Sequence, residues 1–394
     1  MLPEEIYAAL DRRLEPVDEA RAAAFPGERP GRQPVHTCYV PADAVVPAIA
    51  AQWGLAALAA LDEHGLPDLG LDPALVEEVL PRVRAKLAAE PVEDLRVDAE
   101  DGYRGGPDRE DDDVIAAARA LATGAPPSVG IRAKSLEGPT RRRGVRTLDL
   151  FLGTLDAGRA TVTLPKVTDV EQVRAFLPVL DALEDAHGVP LDLELQVETP
   201  QAVLGPDGTA TLARMVHAAG PRLTGLHYGT YDYSAALGIA AAHQSSDHPA
   251  ADFAKQVVQV AVAGTGARAV DGSTNVLPVG DREQVHAAWR LHAGLVRRAL
   301  ERGFYQGWDL HPAQLPSRFI ATYSFFREGL ATARSRLEAY VHGGTSGYLD
   351  EPATAAALAG FVLRGVECGA VDEAEAGLDR DRLLGLARRR ETTG

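Results

Sequence analysis

Lysine is almost missing from this 394-residue sequence: Lys86, Lys134, Lys166 and Lys255 are the only four, and arginine carries nearly all the positive charge. Chemistry that needs a lysine amine is confined to those positions. Cysteine is scarcer still, with Cys38 and Cys368 alone. That excludes a disulfide scaffold and fits reduced thiols in a cytoplasmic protein. Long apolar runs are absent too. Stretches such as Ala48–Leu61 are broken by polar residues and too short to span a bilayer, so no membrane partner is expected. No basic-then-apolar leader is expected, because Glu4 and Glu5 stand where positive charge would be needed. Positive charge is in deficit overall: 40 Lys+Arg against 56 Asp+Glu give a formal net charge of −16. This argues against binding a nucleic acid backbone. The remaining composition, 46% hydrophobic and 24% charged, is that of a globular protein long enough to bury a large core.

No sequence motif repeats, but a pattern does: a short β-rich run, a polar loop, then a helical stretch. The β-rich runs are Val35–Val40, Leu95–Asp98, Val129–Arg132, Ala160–Lys166, Leu191–Val197, Leu223–Tyr228, Arg268–Asp271 and Trp308–His311. Between them lie helical patterns at Val170–His187, Gly208–Ala219, Ala251–Val262 and Asp281–Gly303, the last with Asp281 as its N-cap. Eight alternating units predict an α/β fold, closed as a (β/α)8 TIM barrel. An open dinucleotide-binding sheet would need a glycine-rich turn after its first strand, and Pro41-Ala42-Asp43-Ala44 has none. Residues 1–34 read as a helical extension with helices near 3–13 and 17–24. Residues 35–314 read as the barrel with a long helical crossover at 41–94. Residues 315–394 read as a C-terminal helical extension, with a turn at 342–347 and a frayed end at 388–394.

In this fold the chemistry sits where strands end. Glu198 and Asp232, 34 residues apart, would end adjacent strands and converge on one site. Two such carboxylates without a nearby Cys or paired His suit a hard, oxygen-liganded cation, Mg²⁺ or Mn²⁺. The alternative is that each caps a helix or pairs with an arginine. Arg132 would point into the same mouth, where its guanidinium fork suits a carboxylate substrate or an ion pair with Glu100 or Asp101. Glu100 and Asp101 could also hold metal-bound waters. The rest of that acidic run, Glu110 to Asp113, reads as a solvated helix start. His311 reads as a cap, a core histidine or a general base, and His36 and His227 as interior histidines. Arg141–Arg143 read as a solvated loop, the alternative being contact with phosphates.

These residues resemble the HpcH/HpaI aldolase and citrate lyase beta-subunit superfamily, which includes malyl-CoA and citramalyl-CoA lyases. The resemblance runs over residues 35–370 as ordered short motifs: Asp98-Ala99-Glu100-Asp101, Arg132, Leu164-Pro165-Lys166-Val167, Val197-Glu198-Thr199, Gly229-Thr230-Tyr231-Asp232, Ala269-Val270-Asp271-Gly272 and Gly307-Trp308-Asp309-Leu310-His311-Pro312-Ala313-Gln314. It implies a barrel of the phosphoenolpyruvate/pyruvate type, with Glu198 and Asp232 on the metal. It also implies a substrate site that includes Arg132, Pro165, Lys166 and Thr199. Tyr348-Leu349-Asp350-Glu351-Pro352 is similar to a segment whose Asp is a catalytic acid/base reaching a neighbouring subunit, although Asp350 also fits a helix N-cap. A homo-oligomer, trimer or hexamer, follows from the same resemblance. Tyr103, the long crossover and the scarcity of lysines that would hold CoA phosphates mark a divergent branch.

The expected activity is therefore that of a Mg²⁺-dependent lyase or aldolase on a small hydroxy or keto carboxylic acid, free or as a CoA thioester. Arg132 would grip the carboxylate, and Asp350 or His311 would move the proton. The alternatives are a metal-free Schiff-base aldolase using Lys166 or Lys134, and a non-catalytic metabolite-binding barrel.

Overall fold

The computed structural model of the chain describes residues 2–344 and 347–388, so part of the expected turn at 342–347 and nearly all of the tail at 388–394 lie outside the described residues. Eight parallel strands form one sheet: β1 His36–Pro41, β2 Asp94–Asp98, β3 Ser128–Arg132, β4 Ala160–Leu164, β5 Leu191–Val197, β6 Leu223–Tyr228, β7 Arg268–Val270 and β8 Gly307–Asp309. They pair in the order β7-β6-β5-β4-β3-β2-β1-β8. A parallel bridge between Val270 and Gln306, with the Asp271 N–H donated to the Gln306 carbonyl at 2.9 Å, brings β7 to β8. The result is the expected α/β TIM barrel, and each of the eight β-rich runs overlaps one strand.

Helix α1 (Glu4–Ala24) precedes the barrel, and α2 (Ile49–His64) and α3 (Pro73–Ala89) make the long crossover from β1 to β2. Helices α4 (Glu110–Ala120), α5 (Arg141–Leu152) and α6 (Val170–His187) follow β2, β3 and β4. After β5 come α7 (Pro200–Val203) and α8 (Thr211–Ala219), and after β6 come α9 (Thr230–Ala236) and α10 (Pro249–Val262). Helix α11 (Arg282–Glu301) follows β7 and α12 (Leu315–His342) follows β8. Helices α13 (Pro352–Glu367) and α14 (Arg380–Ala387) complete the C-terminal extension. Asp281 caps α11 as expected, in a capping box with Gln284. Two local readings are corrected. The N-terminal extension holds one helix rather than two, because Pro16 removes a main-chain donor without ending α1. Arg141–Arg143 begin α5 instead of lying in a loop, and Arg143 pairs at 2.6 Å with Glu110, which is buried rather than solvated.

The strands alternate in an unusual sense. Cys38, Leu95, Val97, Ile131, Val162, Leu193 and Leu195 belong to the apolar core shared with the helices. Their polar neighbours fill the barrel lumen, as contacts between strands that are not adjacent require. Arg96 on β2 donates to Glu194 on β5 at 2.7 and 3.1 Å and to Asp94 at 2.5 Å. His227 on β6 lies 3.2 Å from Glu194, and its ring is 5.8 Å from that of Trp308 on β8. Burial opposes charge here, yet Asp94 and Glu194 hold the Arg96 guanidinium firmly protonated. In return, Arg96 and His227 outweigh burial and hold the Glu194 carboxyl far below its usual range.

Removing one member of such a group leaves charge buried without a partner. Arg96→Met is expected to destabilise the protein by about 3–5 kcal/mol in urea unfolding. Arg174→Ala, at an exposed helical pair with Glu171, is expected to cost less than about 0.5 kcal/mol. Equal losses would mean that the lumen pair is not what stabilises the barrel.

Candidate active site

The C-terminal strand ends form the mouth. Glu198 follows β5 directly, and Asp232 lies in the first turn of α9, just beyond β6. Val197 and Tyr228 are partners across β5 and β6, and the Gly229 N–H donates to the Val197 carbonyl at 2.9 Å. The two carboxylates thus share one stretch of rim, close enough for the charge of Asp232 to act on Glu198. Gly229 makes the approach possible. A Cβ there would stand 2.5 Å from the Glu198 Cβ and 2.8 Å from its Oε2.

Glu198 is only 1% exposed. Its Oε1 accepts the Lys166 main-chain N–H at 2.7 Å, and its Oε2 accepts the Gln196 side-chain amide. Lys166 adopts φ 52°, in the left-handed region that a residue with a side chain seldom enters. That turn, after Pro165, aims its N–H at Glu198. Burial pushes the Glu198 carboxyl up to about 7. The charges of Lys166 and Arg132 oppose the rise, and those of Asp232 and Glu100 add to it.

Arg132 is buried among three partners. Its Nε and Nη2 donate to the two oxygens of Asp98 at 2.8 and 2.6 Å, and Nη1 donates to Gln196 Oε1 at 3.0 Å. Glu100 stands 3.8 Å away. The guanidinium lies 4.9 Å from the centre of the Tyr39 ring, which stacks on Trp308. Of the five N–H donors, one on each terminal nitrogen is left for a ligand. The main partner of Arg132 is therefore Asp98, rather than Glu100 or Asp101. Sequence reasoning missed Asp98 and Gln196 in these roles. Period-two spacing was the available signal, since 194, 196 and 198 are all polar and share a face.

The structure gives the other expected residues the following positions. Glu100 and Asp101 each accept from Lys166 Nζ at 2.6 Å. Burial opposes its charge, but Glu198, Glu100 and Asp101 push the Lys166 amine above its usual range. A protonated amine is the opposite of what a Schiff-base nucleophile needs. Lys134 donates to the Ala99 carbonyl at 3.2 Å. Thr199 caps α7, accepting from Ala202 N–H and donating to the Val167 carbonyl at 2.6 Å. His311 is a cap at the end of β8: its Nδ1 accepts the Ala313 N–H at 3.2 Å, which leaves the proton on Nε2. Burial lowers its pKa. Asp309 points away from the mouth, engaged by His36, His292 and Arg318. Asp350 is not the N-cap of α13, a position held by Glu351. Its carboxylate is paired with Arg336, about six turns along α12 from the mouth.

A divalent cation fits this donor set. Glu198 is a buried carboxyl held short of ionisation, beside further acids, and a divalent charge relieves that condition. A carboxylate offers about four acceptor positions, and the two hydrogen bonds to Glu198 leave room on each oxygen. Glu198 and Asp232 would hold the ion, and oxygen-only ligands suit Mg²⁺.

Residues 14–391 match a family model described as a domain of unknown function, DUF6986. The chain belongs to that family. No curated protein matches the sequence. Among solved structures the chain is similar to a citrate lyase from Burkholderia xenovorans LB400, at 21% identity and TM-score 0.61, over 89% of this chain and 97% of that one. It is also similar to protein CitE from Mycobacterium tuberculosis in complex with magnesium, acetoacetate and coenzyme A, at 19% identity and TM-score 0.52, over 88% and 99%. A third is the lead(II) complex of Haloferax volcanii malate synthase, at 16% identity and TM-score 0.52, over 74% of each chain. At these identities the likeness is one of fold. Among the described residues of this DUF6986 chain, no helix is long and apolar enough to cross a membrane.

The raised Glu198 pKa makes stability depend on pH in metal-free protein. Between the ordinary value of 4.5 and about 7, the native state keeps a proton that the unfolded chain has released. Stability therefore falls as pH rises through that window, by about 3 kcal/mol, and stays lost above it. Glu198→Gln cannot ionise and is expected to flatten this slope in thermal melts with EDTA from pH 5 to 8. An unchanged slope would assign the titration to another group.

Proposed function

We propose that the chain is a divalent-metal-dependent carbon–carbon lyase acting on a small hydroxy or keto carboxylic acid. The observation that carries this reading is the buried Glu198, on the same stretch of rim as Asp232 and linked through Gln196 to an arginine that keeps two N–H groups spare. The fold shared with a citrate lyase and with CitE supports it, and the acetoacetate and magnesium held by CitE support the substrate class and the metal. Mg²⁺ is the proposed ion, with Mn²⁺ in the same hard class. When bound, it supplies Lewis-acid polarisation of a substrate oxygen.

The chain's own residues do the rest. Arg132 grips the substrate carboxylate with the donors that Asp98 and Gln196 leave open. Its fixed charge stabilises the negative charge that develops when the carbon–carbon bond breaks. Asp98 keeps the guanidinium from swinging, and Tyr39 and Trp308 keep water from beneath it. Lys166 holds Glu100 and Asp101 at the edge of the mouth. His311, neutral with its proton on Nε2, is the proton-handling group within one chain. Asp350 takes that role only from a neighbouring copy in a homo-oligomer, since its own chain ties it to Arg336.

Isothermal titration is expected to find one Mg²⁺ site in the wild type and none in Glu198→Ala, with unchanged circular dichroism. Undiminished Mg²⁺ binding by that variant would refute the assignment. A retro-aldol screen of hydroxy acids and their CoA thioesters, following keto-acid release, is expected to find a Mg²⁺-dependent activity that EDTA abolishes. Arg132→Lys should then lower kcat/KM by about a hundredfold, or about 3 kcal/mol. Full activity in EDTA, or a borohydride-trapped pyruvate adduct on Lys166, would replace this mechanism with a Schiff-base one.

A further inference from the structure

At the other end of the barrel lies a cavity of about 500 Å³. It is enclosed by the N-terminal connection around residues 28–33, the chain entering β7 and β8, and helices α13 and α14. Its barrel residues precede or begin their strands, so the cavity sits on the face opposite the mouth. Arg29, Arg268, Arg364, Arg380 and Arg388 line it, against only two acids, Glu28 and Glu367. The arginines converge from three separate stretches of a chain whose net charge is −16.

Both acids are taken. Glu28 accepts from Arg364 at 2.7 Å and Glu367 accepts from Arg380 at 2.5 Å. Arg29 donates to the carbonyls of Pro221 and Leu223 at 2.5 and 2.9 Å and lies 3.6 Å from Asp192. Arg268 donates to the main-chain carbonyls of Gly31 and Arg32 at 3.4 and 3.0 Å, and has no carboxylate partner among the described residues. Two buried guanidinium nitrogens of Arg388 have no hydrogen-bond partner among the described residues. Burial first, then the charge of Arg29, disfavours the charged form of Arg268. Positive charge is thus in excess here: three of the five arginines face a carboxylate, and Arg268 and Arg388 face none among the described residues. Arg364 is braced against the Tyr305 ring at 4.5 Å, which holds one guanidinium in place before any ligand arrives.

We propose that this cavity binds a small multivalent oxyanion, phosphate-bearing or polycarboxylate, at a site separate from the mouth. Planar guanidinium forks match both kinds of oxyanion. The site belongs to the extensions: the barrel strands contribute Arg268, and the other four arginines lie outside them.

The test is calorimetry and thermal melting of the full chain in low salt without divalent metal, with inorganic pyrophosphate in one arm and citrate in the other. Saturable binding with one site per chain is expected in at least one arm, and the arm that saturates distinguishes phosphate from carboxylate. Arg268→Met and Arg364→Gln should each weaken it by about tenfold or more, and Glu198→Ala should leave it unchanged. Where Arg268→Met does not fold, Arg380→Gln takes its place, because its guanidinium is half exposed. Three outcomes would overturn the proposal: no saturable binding of either probe up to about 10 mM, affinity unaltered in the arginine variants, or affinity lost in Glu198→Ala.

Discussion

Asp98 and Arg132, both buried, meet through two parallel hydrogen bonds, and the geometry of the mouth follows from that pair. With Asp98 occupying one side of the guanidinium, Gln196 can take one more donor and turn its amide nitrogen toward Glu198. Asp98 also accepts the N–H groups of Glu100 and Gly102, so the same carboxylate shapes the loop that brings Glu100 and Asp101 to Lys166. One ion pair thus fixes the positions of a proposed substrate-gripping group, a proposed metal ligand and the cluster beside them. Rigid support of this kind lets a site act without reorganising during reaction.

The lumen beneath the mouth continues the same theme. A barrel interior packed with branched apolar side chains would be simpler to stabilise. Here Asp94, Arg96, Glu194 and His227 form a buried polar layer, while the apolar residues of the strands face the helices. Each charge in that layer is offset by a neighbour at hydrogen-bond or ion-pair distance. Replacing any single member therefore costs more than the pair contributes over an apolar substitute. Gln196 and Glu198 extend the face of β5 that carries Glu194, so the mouth is built on a rigid strand rather than on a loop.

The helical extensions divide the molecule's surface into two ends of opposite character. The mouth end gathers carboxylates around Lys166 and Arg132. The far end gathers arginines from the N-terminal connection, β7 and the last two helices. Helix α12 leaves the mouth, reaches the far end where Phe326 stacks on the cavity residue Tyr305, and runs on beyond it, about 42 Å in all for its 28 residues. That length explains why Asp350, which follows it and is paired with Arg336, has no hydrogen bond or ion pair at the mouth among the described residues.

The sequence by itself determined the strand order, the barrel class and the rim on which Glu198, Asp232 and Arg132 sit. These follow from periodicity and from the rule that chemistry gathers at strand ends. It did not determine which acid Arg132 would take, that Gln196 would join two charged groups, that Glu110 would be buried against Arg143, or that Asp309 would face the helices. Those outcomes depend on distances across the lumen and between layers. Such distances are set by the stagger and tilt with which eight strands close, not by spacing along any one of them. Period two names the face a side chain occupies. Only closure of the barrel decides what stands opposite.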